Sequence, residues 1–172
     1  MRELILGGAR SGKSALAQRR AGESGLAVTY VATATAGDAE MAERIAQHRA
    51  DRPAQWALVE EPRALGEVVR DHAGAGCCLL VDCLTLWLAN LLGAGEADFE
   101  RQRADFLAAL DEAAGTVILV SNEVGQGVVP ADPLSRRFVD EAGRLHQAVA
   151  ARCERATLVT AGLPMPLKGD AP

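Results

Sequence analysis

The sequence predicts an α/β fold, a mostly parallel β-sheet with helices on both faces. Three observations predict it. Short runs rich in Val, Leu and Ile recur along the chain, and several are apolar at consecutive positions, as in strands buried on both sides. Segments of helical periodicity separate those runs. The 172 residues, 49% of them hydrophobic, suffice for one core of ordinary size, and residues 1–172 read as a single domain.

The elements follow in order. "ELIL" (3–6) is a first strand and ends in glycines; "KSALAQRRAGES" (13–24) has helical periodicity. "LAVTYVAT" (26–33) is β-rich, and "DAEMAERIAQHR" (38–49) is helical and stopped by Pro53. "WALVEE" (56–61) is a short strand. The helical stretch 62–73 follows, with Pro62 suited to its first turn. "CCLLVD" (77–82) is an almost unbroken apolar strand, followed by helices over 84–92 and 96–114. "TVILVS" (116–121) is another such strand; a long helix covers 132–153, and "RATLVTA" (155–161) closes the sheet. The tail "GLPMPLKGDAP" is turn-rich and is expected to fray after Lys168.

Composition excludes some functions. The net charge is −5, which argues against broad electrostatic binding to nucleic acid or anionic membrane, so any anion must be held by a local site. No apolar run approaches a membrane span, and the start "MRELILGG" is too weakly apolar for a signal peptide. Cys77, Cys78, Cys83 and Cys153 form neither CxxC pairs nor a metal pattern. They read as reduced, mostly buried residues of a cytoplasmic protein.

One stretch sets the class. "GGARSGKS" fits G-x-x-x-x-G-K-[ST] and comprises Gly7, Gly8, Ala9, Arg10, Ser11, Gly12, Lys13 and Ser14. Glycines let a backbone wrap closely around phosphate with its N–H groups turned inward. Lys13 would reach the β- and γ-phosphates and Ser14 would ligate Mg²⁺. Lysine occurs only here and at Lys168, while arginine does nearly every other cationic job. A strand precedes the loop and a helix follows it, so the expected fold narrows to a RecA-like P-loop NTPase. Asp82, ending an apolar strand, is the candidate second ligand for the metal, with helix N-capping as its ordinary alternative.

Within that class a GTPase switch lacks its Asn-Lys-x-Asp stretch. A RecA-type motor normally works within larger assemblies. A small-molecule kinase or nucleotidyltransferase remains. "GGARSGKS" (7–14), "YVATA" (30–34), "RIAQHRADRP" (44–53), "VDCLTLWLANLL" (81–92) and "SNEVGQGVVP" (121–130) carry a specific resemblance. In these motifs, in order and spacing, the chain resembles the bifunctional adenosylcobinamide kinase/adenosylcobinamide-phosphate guanylyltransferases of cobalamin biosynthesis. The resemblance implies phosphorylation of adenosylcobinamide by ATP or GTP. It then implies transfer of GMP from GTP, through a guanylyl-histidine, to adenosylcobinamide phosphate, giving adenosylcobinamide-GDP. A monofunctional P-loop small-molecule kinase is the alternative reading.

The resemblance places the guanylylated histidine at His48. As a helix, Met41, Ile45 and His48 share one stripe, which also suits a core histidine. Nearby Arg44, Arg49 and Arg52 would disfavour imidazolium and keep the ring a neutral nucleophile. The same arginines suit charge-assisted bonds to a triphosphate. By resemblance the nucleotide contacts also include Ala32, Thr33, Ala34, Arg49, Ala50, Asp51, Arg52 and Glu60. The Glu60 carboxylate would accept from the guanine N1 and N2 donors. Family likeness further implies a homotrimer. Asn122 and Glu123 lie at a strand end, where α/β sheets place ligands. They could position the corrinoid side chain or the transferred phosphate, or form only a structural turn; no general base is assigned, and Glu123 is the candidate for it.

Overall fold

The computed structural model describes residues 1–35, 43 and 53–169. Their seven strands form one sheet in the order β3-β2-β4-β5-β1-β6-β7. The strands are β1 Arg2–Gly7, β2 Ala27–Ala32, β3 Ala57–Glu60, β4 Cys77–Asp82, β5 Thr116–Asn122, β6 Arg155–Thr160 and β7 Leu163–Lys168. All neighbours pair parallel except β6 with β7, which is antiparallel. Five described helices connect them: α1 Lys13–Glu23, α2 Leu65–His72, α3 Leu84–Leu92, α4 Glu96–Glu112 and α5 Pro133–Arg152.

The strands sort their side chains by alternation. Leu4, Leu6, Leu79, Val81, Val117 and Leu119 face one side and pack under α2–α5, around Trp87, Phe99 and Phe106. Trp87 and Phe106 meet edge to face, with centroids 5.0 Å apart. Ile5, Leu80, Ile118 and Val120 face the other side, against Leu16, Ala17 and Ala21 of α1. Both faces of the central strands are therefore dry, which explains their unbroken apolar runs.

Two boundaries differ from the sequence expectation. Pro62 does not open α2, which begins at Leu65. The Glu61 carboxylate accepts from the Arg63 and Ala64 N–H groups, each at 2.8 Å, and the chain turns there before the helix starts. The tail, expected to be turn-rich, instead forms β7 over Leu163–Lys168; residues 170–172, where fraying was expected, lie outside the described residues. Pro164 and Pro166 are two residues apart, so both missing N–H groups fall on one side of the strand. At an edge that side can be the open one.

Candidate active site

The parallel strands end on one edge of the sheet. Register aligns Glu60 with Ala32, Ala32 with Asp82, and Asn122 with Gly7. Reading along that edge from β3 gives Glu60, Ala32, Asp82, Asn122 and Gly7.

The glycine-rich loop leaves β1 at this edge and returns as α1. Gly7 is dictated by close packing, because a Cβ there would collide with Ser11 Oγ and sit 2.7 Å from the Val159 carbonyl. Arg10 and Gly12 take left-handed φ values of 55° and 95°, the second suited only to glycine. The Gly162 N–H donates to the Ser11 carbonyl at 2.9 Å, so the β6–β7 turn braces the loop from outside. Lys13 folds back, and its Nζ donates to the Gly8 carbonyl at 3.2 Å. Its ammonium therefore lies over the loop's own backbone.

Asp82 ends β4, two strands from β1, with β5 between them. It does not cap α3, whose N-cap is Cys83 without a side-chain bond. Its carboxylate makes no hydrogen bond or ion pair among the described residues and is half-buried. Burial and the neighbouring Asp82 charge raise the Cys83 thiol above its ordinary range, so it stays protonated.

Residues 3–167 match the family described as cobinamide kinase / cobinamide phosphate guanyltransferase. The chain belongs to that family. Membership makes the chain a bifunctional enzyme, with the two activities the family is named for. It is 64% identical over 171 residues to the bifunctional adenosylcobalamin biosynthesis protein CobP of Pseudomonas aeruginosa, covering 99% of each chain. It is 38% identical to the corresponding CobU of Salmonella typhimurium, covering 96% of this chain and 98% of that one. Among solved structures, the flagellar accessory protein FlaH of Methanocaldococcus jannaschii shares the fold, with a TM-score of 0.55 and 18% identity. That match covers 98% of this chain and 78% of FlaH. An ATPase from the type III secretion system of pathogenic bacteria matches with a TM-score of 0.53 and 17% identity, over 92% of this chain and 52% of that one. The chain thus has the RecA-like P-loop fold.

Against the sequence expectations, the structure gathers Gly7–Ser14, Ala32, Glu60 and Asp82 on the edge where the strands end. Thr33 is there too, but its hydroxyl is buried. Thr33 Oγ1 donates to the Cys83 carbonyl at 2.7 Å and accepts from the Cys83 N–H at 3.0 Å. It clamps the end of β2 to the end of β4, and Ala34 follows it into the loop. Asn90 of α3 holds the same corner, donating to the Thr33 and Pro62 carbonyls at 2.8 and 3.1 Å. His48, Arg44, Arg49, Ala50, Asp51 and Arg52 lie outside the described residues.

Sequence reading singled out Glu123 but missed the polar partners the fold brings to it beside the loop. Ser121 Oγ and His146 Nε2 are 2.7 Å apart, and His146 Nδ1 is 4.0 Å from Glu123 Oε2. His146 stands in an ordinary helical pattern, "RLHQAV", twenty-five residues from its partner. Its one signal is a histidine at an inward position of a helix. Among the described residues no helix is long and apolar enough to cross a membrane.

Proposed function

We propose that the glycine-rich loop is one nucleotide site serving both family reactions. The observation that carries this is the loop's position on the edge that also presents Asp82 and Glu60, combined with the single occurrence of G-x-x-x-x-G-K-[ST] in the chain. In the first reaction the nucleoside triphosphate lies in the loop with Lys13 on its β- and γ-phosphates. The adenosylcobinamide hydroxyl attacks the γ-phosphorus. In the second, His48 attacks the α-phosphorus of GTP, pyrophosphate leaves, and GMP passes to adenosylcobinamide phosphate. Arg49 and Arg52, with Ala50 and Asp51, belong to this nucleotide-binding stretch, and Ala32, Thr33 and Ala34 shape the nearby wall.

The residues present fit Mg²⁺. Ser14 and Asp82 offer oxygen only, and the Asp82 carboxylate is uncommitted among the described residues. Magnesium at phosphates needs few protein ligands, because phosphate and water supply the rest. Bound there, the ion would neutralise charge on the phosphates. Ser11 Oγ, also on this edge, is buried without a hydrogen-bond partner. Such an atom costs about 1–3 kcal/mol, which a bond from the hydroxyl to a phosphate oxygen would offset.

Glu60, at the far end of the edge, is the proposed reader of guanine. Four unpaired cysteines suit a reducing cytoplasm. Family resemblance supports a homotrimer, and Leu163, Met165 and Leu167 on β7 are exposed apolar surface that an oligomer would cover.

The test is incubation with Mg²⁺ and GTP labelled at the α-phosphate. Acid-labile, base-stable label on the wild type and its loss in a folded His48→Ala variant are expected. Equal labelling of the two proteins would overturn the histidine's role.

A further inference from the structure

Glu123 follows directly on β5, the strand between the loop strand β1 and the Asp82 strand β4. Neighbouring strands lie about 4.8 Å apart, so Glu123, one residue past the Asn122 that pairs with Gly7 and three past the Val120 that pairs with Asp82, leaves the edge between the loop strand and the Asp82 strand. Its backbone N–H donates to the Gly7 carbonyl at 3.1 Å, which fixes it to the first residue of the loop. Its Oε1 accepts from the Gly125 N–H at 2.7 Å. Its Oε2 faces His146 Nδ1 at 4.0 Å, and the side chain keeps 23% exposure. Glu60, by contrast, ends β3, three strands further along the sheet from β5.

His146 is buried on α5, and burial lowers its pKa despite the Glu123 charge, so the ring is neutral. A neutral imidazole has one N–H. Placed on Nδ1, that hydrogen points toward the carboxylate and leaves Nε2 to accept from the Ser121 hydroxyl. Ser121 thus orients the ring from behind, and Nδ1 stands 4.0 Å from the carboxylate, outside hydrogen-bond distance.

We infer that Glu123 accepts the proton of the substrate hydroxyl in the phosphoryl-transfer step, and that His146 is a positioning residue whose neutral ring flanks its carboxylate. The hydroxyl oxygen forms the bond to the γ-phosphorus and its proton passes to Glu123. The bond from that phosphorus to the β–γ bridging oxygen breaks, and the nucleoside diphosphate leaves. Glu123 returns the proton to solvent through its exposed side. The inference rests on the loop's being the phosphoryl-donor site. It also separates the two reactions, because the acceptor of the guanylyl group is an already ionised phosphate with little proton to remove.

The experiment compares steady-state rates of both reactions for the wild type, Lys13→Ala, Glu123→Gln, His146→Asn and His146→Gln, with folding checked by circular dichroism. Removing a general base typically costs 10²-fold or more. Glu123→Gln is expected to lower kcat for phosphorylation about 100-fold, with the nucleotide KM within about threefold, and to lower the kinase-to-guanylyltransferase ratio. Asn carries an amide near the Nδ1 position, whereas Gln carries one near Nε2. His146→Asn should therefore keep more phosphorylation than His146→Gln. In the Glu123→Gln background neither His146 change should lower kcat further. A role limited to satisfying Ser121 predicts the reverse order. Normal kcat in Glu123→Gln alongside an inactive Lys13→Ala overturns the inference alone. Normal phosphorylation in Lys13→Ala overturns the reading of the loop. If either His146 variant fails to fold, Glu123→Gln still decides.

Discussion

A methyl group at residue 7 would meet Ser11 Oγ and the Val159 carbonyl, and the carbonyl belongs to backbone that cannot move aside. Gly7 therefore serves the packing of the loop against β6 before any phosphate arrives. Gly7→Ala is expected to lose about 1–3 kcal/mol of stability, as overpacked sites do. Thermal unfolding reads this as a lower midpoint, and nucleotide affinity should fall with it; an unchanged midpoint would show that the loop has room to shift. At this scale the sequence was informative wherever chemistry is local. Lys13, Ser14 and the glycines sit within one octapeptide and declare themselves. Glu123 was named at its strand end, but its neighbours Ser121 and His146 were not, because only the fold brings α5 over the end of β5. Thr33 was legible as a residue of this region but not in its work, since its partner Cys83 is fifty residues away.

The central strands were the most legible. β1, β4 and β5 are covered on both faces, so they read as continuous apolar runs. β7 is exposed along its whole length and carries two prolines, so nothing local distinguishes it from a turn; its pairing with β6 creates it. The edges of elements also carry charge. Glu154, between α5 and β6, accepts from the Arg2 backbone N–H and guanidinium, tying the start of β1 to that junction. Those bonds hold its carboxyl at about 2, below the ordinary 4.5. A folded pKa below the unfolded one adds stability that is complete above about 4.5 and lost as pH falls toward 2. Both partners are substantially exposed, so solvent weakens the effect. Between pH 5 and 2.5 the wild-type melting midpoint should fall more steeply than that of Glu154→Gln. Parallel curves would remove Glu154 from the account of acid sensitivity.

Across the molecule, a charge of −5 coexists with a site for highly anionic ligands. The fold reconciles them by gathering backbone N–H groups, Lys13 and a helix N-terminus at one edge. The loop motif and the strand–helix alternation made the RecA-like class legible, and the family's longer motifs made the pair of reactions legible. The order in which the strands pair was not legible, because β5 enters between β1 and β4 only through tertiary packing. That insertion is what separates the cradle from Asp82 and gives Glu123 its place. The central claim is that one cradle feeds both reactions, and Lys13→Ala tests it most directly. Phosphorylation of adenosylcobinamide and labelling by α-phosphate-labelled GTP should fall together, each about 100-fold or more, in a protein that melts like the wild type. Loss of phosphorylation with labelling at the wild-type rate would contradict the account and require a second nucleotide site.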